Sequence, residues 1–426
     1  MDNTQIRSEI EKLIQQYIKN NDTTFIPGET PVLTGQAIYD SNELNAIINT
    51  LLDGWFGLGQ KGVRFEKEFA AYCGLKYGCL TNSGSSANLV ALNALKLQRK
   101  LTGGEIITPA CAFPTTLNPI IQLGFTPAFI DVDQSLNINP ALVEQVISPD
   151  TVGISFAHTL GNPAKVAEIK VIAERNNLFI IEDCCDALGS KYQGQLCGSF
   201  GNCATFSFYP AHGMTMGEGG IIITDDPELN RIAKSLRDWG RECYCTTDEK
   251  NPNGKCGKRF DYELDGIPYD HKYIYSNIGY NLKPLELQAA MGLEQLKKLN
   301  QFNLKRRHNY RLYEEAFKPF AGRLDLPSIN ADAEPVLFGL PLIINDPAIN
   351  RQALIKYLNE NKIATRQLFG GNLLKHPAYK SIIYKQYSSL DYTDKLMRDC
   401  FWIGIHPGVN QEAINYAALT IKGFIK

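Results

Sequence analysis

The sequence contains no stretch of about 18 uninterrupted apolar residues, the length that a membrane-spanning helix needs. It also has little net charge, −2 at pH 7, so nothing in its composition favours nucleic acid or an anionic membrane as a partner. The first 20 residues place Ile6, Ile10 and Ile14 at helical spacing, without the continuous apolar core of a signal peptide. These absences favour a cytoplasmic protein.

Internal repeats and low-complexity segments are also missing, and 426 residues predict two or three compact units. Eleven cysteines form an odd number in a chain without an export signal, so a disulfide framework is not expected. Metal ligation and buried thiols remain as the two interpretations of the cysteines.

Short apolar runs alternate with amphipathic segments between residues 75 and 225, which predicts an α/β fold with a largely parallel, buried sheet. The predicted strands are Glu105–Thr108, Ala128–Val132, Val152–Ala157, Leu178–Glu182, Ala204–Phe208 and Ile221–Thr224. The predicted helices between them include 82–100, 163–177 and 227–239.

The chain is divided here into three parts. Residues 1–30 form an N-terminal helical extension, and 31–283 form a large domain in which 240–283 are an irregular, cysteine-containing insertion. A long helix that starts near Pro284 leads into a smaller C-terminal domain, 284–426.

Three segments combine polar side chains with strand ends. TNSGSSANLVALNAL (81–95) starts a helix, either as a simple cap or as a phosphate site at the helix N-terminus. LFIIEDCCDALG (178–189) ends a strand in Glu182 and Asp183, either at a surface turn or where an aspartate holds the pyridine nitrogen of pyridoxal phosphate. FSFYPAHGMTMGEGG (206–220) carries His212, either as a turn-stabilising side chain or as a reactive group on a loop.

Together with PACAFPTTLNP and GYNLKPLELQAA, these segments resemble, in order and spacing, the sugar aminotransferases and dehydratases that act on nucleotide-linked keto sugars. The resemblance runs from about residue 30 to the C-terminus. It implies the aspartate-aminotransferase (type I) fold and a homodimer with shared active sites. The implied cofactor contacts are Gly84, Ser85, Ser86 and Ser207 at the phosphate, Phe113 on the ring, Asp183 at the pyridine nitrogen, and Asn281 at the neighbouring subunit's phosphate.

His212 occupies the position where most of this family has the lysine that holds pyridoxal phosphate as a Schiff base. Imidazole cannot form a stable imine, but its ordinary pKa of about 6.5 suits a general base. This replacement of lysine by histidine resembles the 3-dehydratase branch of the family. In that branch pyridoxamine phosphate condenses with the C4 ketone of the sugar, and the histidine removes a proton from C4′ of the cofactor. TRQLFGGNLLKHP (365–377) also resembles that branch, with Arg366 and Asn372 on the substrate side.

The cysteine spacing resembles the iron–sulfur 3-dehydrases of CDP-4-keto-6-deoxyglucose. In this sequence 57 residues lie between Cys185 and Cys243, and Cys245 follows after one more. The family's fourth cysteine usually follows after seven intervening residues, where this chain has Asn253, and Cys256 comes three residues beyond it. The resemblance therefore implies a [2Fe–2S] cluster on Cys185, Cys243, Cys245 and Cys256, with unrelated thiols or structural zinc as alternatives.

The function implied by the resemblance is C3 dehydration of CDP-4-keto-6-deoxy-D-glucose on the way to 3,6-dideoxyhexoses of surface lipopolysaccharide. A partner reductase with NAD(P)H and flavin would send electrons through the cluster to complete the deoxygenation. Two alternatives stay open at this point. One is a cluster-free GDP-4-keto-6-deoxymannose 3-dehydratase, and the other is a homologue that binds cofactor and metal without turnover.

Overall fold

The computed structural model describes residues 1–20, 24–243 and 259–425. The helices are α1 Asn3–Asn20, α2 Ser41–Leu52, α3 Gln60–Tyr72, α4 Gly84–Gln98, α5 Pro114–Gln122, α6 Pro140–Val146, α7 Val166–Arg175, α8 Pro227–Arg237, α9 Glu286–Phe317, α10 Arg351–Glu360, α11 Asp391–Asp399 and α12 Gln411–Ile425. The strands are β1 Tyr77–Thr81, β2 Glu105–Pro109, β3 Thr126–Ile130, β4 Thr151–Ala157, β5 Phe179–Asp183, β6 Lys191–Tyr192, β7 Gln195–Leu196, β8 Cys203–Ser207, β9 Gly220–Thr224, β10 Tyr262–Leu264, β11 Ile267–Tyr269, β12 Leu324–Asp325, β13 Ala333–Glu334, β14 Gly339–Ile344, β15 Thr365–Arg366, β16 Lys385–Gln386 and β17 Cys400–Gly404.

The main sheet has eight strands in the order β1-β9-β8-β5-β4-β2-β3-β16. Every pair from β8 to β16 is parallel, whereas β9 runs antiparallel to both β1 and β8. All six predicted strands are present with ends shifted by at most two residues, so the α/β prediction with a mostly parallel sheet is confirmed. Strand β1 was not predicted, because its sequence YGCLT is not an apolar run.

Helices cover both faces of this sheet, which explains why its strands read as continuous apolar runs. Helix α4 packs against α5 and α8 on one face, and its Val90 and Leu95 are fully buried there. Helix α3 and the first half of α9 cover the other side around Phe206 and Ile221. The strand ends are thereby held rigidly, and the loops that follow them inherit fixed positions.

A second, antiparallel sheet in the order β12-β14-β17-β15 is packed with α10, α12 and the end of α9. The long helix predicted to start near Pro284 begins at Glu286, and the side chain of Gln288 reaches back to the N–H of Leu285 at 2.7 Å. The boundaries 1–30, 31–283 and 284–426 stay predictions. Among the described helices, none has both the length and the hydropathy to cross a membrane.

The predicted irregular insertion, residues 240–283, is partly regular. Strands β10 and β11 form an antiparallel hairpin with Tyr262 opposite Tyr269, and both strands are exposed along their length. Cys243 belongs to the described residues, whereas the predicted ligands Cys245 and Cys256 lie outside them.

Candidate active site

The candidate site lies at one edge of the main sheet, where β5 and β8 end side by side. Asp183 at the end of β5 is paired in register with Thr205 of β8. Gly220, at the start of β9, approaches the turn before α4 so closely that a Cβ there would lie 2.3 Å from the carbonyl oxygen of Ser83. Since ligands of open α/β sheets bind outside the carboxyl ends of parallel strands, this edge is the expected place for a cofactor.

The N-terminus of α4 forms a phosphate cradle, defined here as Ser83 to Ser86 with Ser207. Ser83 caps the helix by accepting a hydrogen bond from the N–H of Ser86 at 3.1 Å, and a Cβ at Gly84 would lie 2.6 Å from Cβ of Ser207. The first N–H groups of a helix have no intrahelical partner, and the helix dipole favours an anion there. The cradle therefore fits a phosphate group, as predicted for Gly84, Ser85, Ser86 and Ser207.

Asp183 is buried, with 6% of its surface exposed, and is oriented by several donors. Its Oδ2 accepts hydrogen bonds from Nδ2 of Asn88 at 2.8 Å and Oγ1 of Thr116 at 2.7 Å, and Oδ1 accepts from the N–H of Cys185 at 3.2 Å. A carboxylate oxygen can accept two hydrogen bonds, so Oδ1 can take a further donor. A pyridine nitrogen that carries a proton fits this position.

His212 lies on the loop after β8 with its side chain mostly buried. Its Nδ1 is 3.3 Å from Oδ1 of Asp186, at an angle outside hydrogen-bond geometry, and has no hydrogen-bond partner among the described residues. Its ring stacks on Phe338 with centroids 5.0 Å apart and an interplanar angle of 21°. Within its turn, the backbone N–H of His212 donates to the carbonyl of Tyr209 at 3.0 Å, and its ring meets the ring of Tyr209 edge-on with centroids 6.1 Å apart. The two interpretations of His212, as a turn-stabilising side chain and as a reactive group, both stay predictions.

The remaining predicted cofactor contacts are both exposed. Phe113 precedes α5 with 51% of its surface exposed and meets Phe369 edge-on at 6.4 Å between centroids. Asn281 is exposed and accepts a hydrogen bond from Nζ of Lys283 at 2.8 Å. The carbonyl of the next residue, Leu282, accepts a hydrogen bond from the N–H of Asn82. Stacking by Phe113 and a contact from Asn281 to a neighbouring subunit stay predictions.

The two predicted substrate-side residues differ in what they offer. Arg366 on β15 is exposed, and its Nη1 donates to the carbonyl of Thr365 at 2.9 Å. Asn372 is buried, with Nδ2 donating to Oδ1 of Asp394 at 2.7 Å and Oδ1 accepting from Leu374 N–H at 3.1 Å. The amide of Asn372 is thus already used within the chain, and both substrate contacts stay predictions.

Of the nine described cysteines, seven are buried and only Cys185 and Cys243 are partly exposed. These two are the described members of the predicted cluster set. A Cβ at Gly84 would lie 2.9 Å from Sγ of Cys185, so this thiol borders the phosphate cradle. Burial, and then the carboxylate of Asp183, raise the pKa of the Cys185 thiol, so the protonated form is favoured unless a cation or metal stabilises the thiolate.

A second group of metal-ligating side chains, His158, Glu182 and Cys184, is fully buried beneath the site. Glu182 accepts hydrogen bonds from the N–H groups of Gly198, Phe200 and Gly201 at 2.7 to 2.8 Å, and its Oε2 lies 3.1 Å from Nε2 of His158. Nδ1 of His158 in turn accepts from the N–H of Ala164 at 3.0 Å. Both ring nitrogens of His158 and both carboxylate oxygens of Glu182 are already used in hydrogen bonds, so the group is a structural network that orders the turn before β8.

We expect Glu182→Ala to lower the free energy of unfolding by about 3 kcal/mol or more, because three buried N–H groups lose their acceptor. Urea unfolding of the mutant and the parent measures the change. Glu168→Ala on α7 is the control, since that carboxylate carries no comparable network and should leave the midpoint nearly unchanged. Loss of bound metal from the purified protein, with unaltered stability, would contradict the structural assignment.

Two neighbours of His212 were not predicted. Asp186 lies in the segment 178–189, three residues after Asp183. The cluster of acidic residues in that segment could have indicated that Asp186 belongs to the site. Phe338 lies 126 positions after His212, and no local pattern points to it. The tertiary fold alone brings its ring onto the imidazole.

Comparison with known proteins agrees with this geometry. Residues 37–422 match the model of the DegT/DnrJ/EryC1/StrS aminotransferase family. The chain is 42% identical to the lipopolysaccharide biosynthesis protein RfbH of Salmonella typhimurium, over 98% of both chains. It is 43% identical to a dTDP-4-dehydro-2,6-dideoxy-D-glucose 3-dehydratase of Saccharopolyspora spinosa, over 94% of this chain and 88% of that protein. A solved structure of an E. coli GDP-4-keto-6-deoxy-D-mannose-3-dehydratase with bound hydrated PLP superposes with a TM-score of 0.84 at 30% identity, covering 92% of this chain and all of that one.

Proposed function

Because the chain belongs to the DegT/DnrJ/EryC1/StrS aminotransferase family, we propose that it is a pyridoxamine-phosphate-dependent 3-dehydratase of a nucleotide-linked 4-keto-6-deoxyhexose. The observation that carries the proposal is His212 on the loop after β8, where this family's aminotransferases place their cofactor-binding lysine. The segment 206–220 contains no lysine at all. The lysine that would bind the cofactor covalently is thus replaced by His212, a side chain that can act as a base at neutral pH.

Pyridoxamine phosphate, when bound, supplies an amine for the C4 ketone of the sugar and a ring that takes up electrons. The phosphate cradle would bind its phosphate through helix N–H groups and serine hydroxyls. The carboxylate of Asp183 would accept a hydrogen bond from the pyridine nitrogen and favour its protonated form. The cradle lies at the start of α4 and the end of β8, and Asp183 ends β5, so together they would hold the cofactor in one orientation.

His212 would move the proton at C4′. Its Nδ1 faces Asp186, so Nε2 is the nitrogen left to take up the proton. The carboxylate of Asp186 stabilises the resulting imidazolium, and stacking on Phe338 keeps the ring in one plane. The side chain of His212 is mostly buried, with 16% of its surface exposed. This limits water near the base, which favours transfer to and from the cofactor over loss to solvent.

The finer proposal is that the substrate is CDP-4-keto-6-deoxy-D-glucose and that a [2Fe–2S] cluster on Cys185, Cys243, Cys245 and Cys256 takes electrons from a partner reductase. The cysteine spacing supports it, and so does the position of Cys185 beside the phosphate cradle. A thiolate ligand at that place would hold a cluster close to the cofactor, as electron delivery to a bound sugar intermediate requires. The reductase would carry flavin and take electrons from NAD(P)H in the cytoplasm.

A cluster-free dehydratase is the second candidate, favoured by the shifted position of Cys256 and by the 30% identical GDP-sugar enzyme. The cluster-containing and cluster-free candidates can be distinguished in protein purified anaerobically. The measurements are the content of iron and acid-labile sulfide and an EPR spectrum after dithionite reduction. Turnover of CDP-, dTDP- and GDP-linked 4-keto-6-deoxyhexoses then assigns the nucleotide. Binding of cofactor without turnover of any of the three would leave only a non-catalytic homologue.

Mixed dimers test the predicted sharing of active sites. Subunits with His212→Asn and subunits with Asn281→Asp should each be inactive alone, the latter because a carboxylate repels the phosphate. Random mixing should restore roughly a quarter of wild-type activity, since half the dimers are mixed and each has one intact site. Activity after mixing, against either mutant alone, is the measurement. No recovery would mean that each active site is built from one chain.

A further inference from the structure

Arg306 on α9 is a buried cation that has no hydrogen-bonded carboxylate partner in the described part of the chain. Only 2% of its surface is exposed, and its hydrogen bonds within the described chain all go to backbone carbonyls. Arginine is rarely buried completely unless it is paired with a carboxylate. Burying such a charge costs more than packing an apolar side chain of similar volume, so its presence needs a reason other than stability.

The four carbonyls belong to two backbone segments that carry the stacked rings of the site. Nη1 donates to Leu337 at 3.1 Å and Phe338 at 3.0 Å, and Nη2 donates to His212 at 3.1 Å and Ala211 at 3.5 Å. One planar guanidinium thus connects the backbone of the candidate base to that of the aromatic ring beneath it.

From this geometry we propose that Arg306 is a positioning residue that aims the side chain at position 212 toward C4′ of the cofactor. The inference rests on the proposed function of His212. The planar guanidinium presents its N–H donors in a fixed fork toward both backbone segments, whereas the ammonium of lysine is a compact charge on a flexible stem. Lysine should therefore replace Arg306 poorly. Burial lowers the pKa of Arg306 to about 10 against the opposing attraction of Asp186, so the side chain remains a cation at neutral pH.

The same helix offers a matched control. Asn309 is also fully buried, and its Nδ2 donates to the carbonyls of Ile405 at 3.3 Å, His406 at 3.2 Å and Val409 at 2.9 Å. Asn309 therefore also binds backbone carbonyls from the same helix, three residues after Arg306. The backbone segment that it contacts does not include His212. A purely structural effect of Arg306 should be reproduced by Asn309→Ala.

A covalent labelling assay tests whether the side chain at position 212 points toward the cofactor, and it does not require turnover. In a His212→Lys background, pyridoxal phosphate and borohydride should label position 212, located by peptide mass mapping. Adding Arg306→Met or Arg306→Lys should reduce that labelling at least about tenfold, because a misplacement of about 1 Å is enough to cost two orders of magnitude in rate. Adding Asn309→Ala should leave it unchanged, and non-covalent pyridoxamine phosphate binding should stay within about twofold throughout.

The outcomes separate the two hypotheses. Unchanged labelling of position 212 in both Arg306 variants would overturn the positioning role while leaving the proposed function intact, and Arg306→Lys decides alone if Arg306→Met does not fold. No labelling of His212→Lys itself would overturn both. With His212 present, Arg306→Lys should lower kcat for C3-hydroxyl exchange roughly 10²-fold at nearly constant KM. An equal loss in Asn309→Ala would contradict the inference.

Discussion

His212→Asn is expected to lower the rate of dehydration by roughly 10²-fold or more while leaving affinity for pyridoxamine phosphate nearly unchanged. Asparagine is smaller and polar, so it preserves the loop, but it cannot take up a proton at neutral pH. The cradle and Asp183, which are predicted to hold the cofactor, are untouched by the change. The loss should therefore fall on kcat and not on cofactor binding.

The measurement is exchange of the C4′ hydrogen of the cofactor with solvent, in the presence of the keto sugar. This step isolates proton transfer from later reduction and product release. His308→Asn is the control, because His308 is exposed on α9 near Arg306 and has no part in the site. Exchange at the wild-type rate in His212→Asn would exclude His212 as the base.

Cys185→Ser is expected to abolish the iron content and the NAD(P)H-driven deoxygenation, because a [2Fe–2S] cluster needs its full set of four protein ligands. Reversible dehydration should largely survive, since its parts are the cofactor and His212. Iron analysis, the EPR signal and ¹⁸O exchange at the C3 hydroxyl measure the three quantities separately. A purely structural metal would not separate the two activities in this way.

The same substitution at Cys243, Cys245 and Cys256 should give the same result. Cys203→Ser is the control, because that thiol is buried in the core of the sheet and should keep full iron. Full iron in Cys256→Ser with loss in Cys197→Ser or Cys203→Ser would show that Cys256 is not the fourth ligand. Full iron and reductive activity in all four mutants would favour the cluster-free enzyme.

Local sequence was sufficient to predict six strands of the main sheet and three parts of the candidate site. Buried parallel strands must be apolar on both faces, so each forms a run that can be identified without knowing its neighbours. The phosphate cradle and the carboxylate at the end of β5 depend on one helix start and one strand end, both of which are local. The identity of the residue at position 212 is likewise visible in the sequence, and with it the change from a covalent anchor to a base.

Strand β16 and the surroundings of His212 required the tertiary structure. Lys385 and Gln386 join the main sheet beside β3 although more than 250 positions separate them, and two polar residues carry no strand pattern. Asp186, Phe338 and Arg306 approach position 212 from the turn after β5, the segment before β14 and helix α9. The contact of Arg306 is to the backbone carbonyl of His212, a group that every residue possesses. The sequence alone determined which side chains are proposed to carry the chemistry, because their identity is local. Their alignment depends on contacts between distant segments, so only the folded chain decided it.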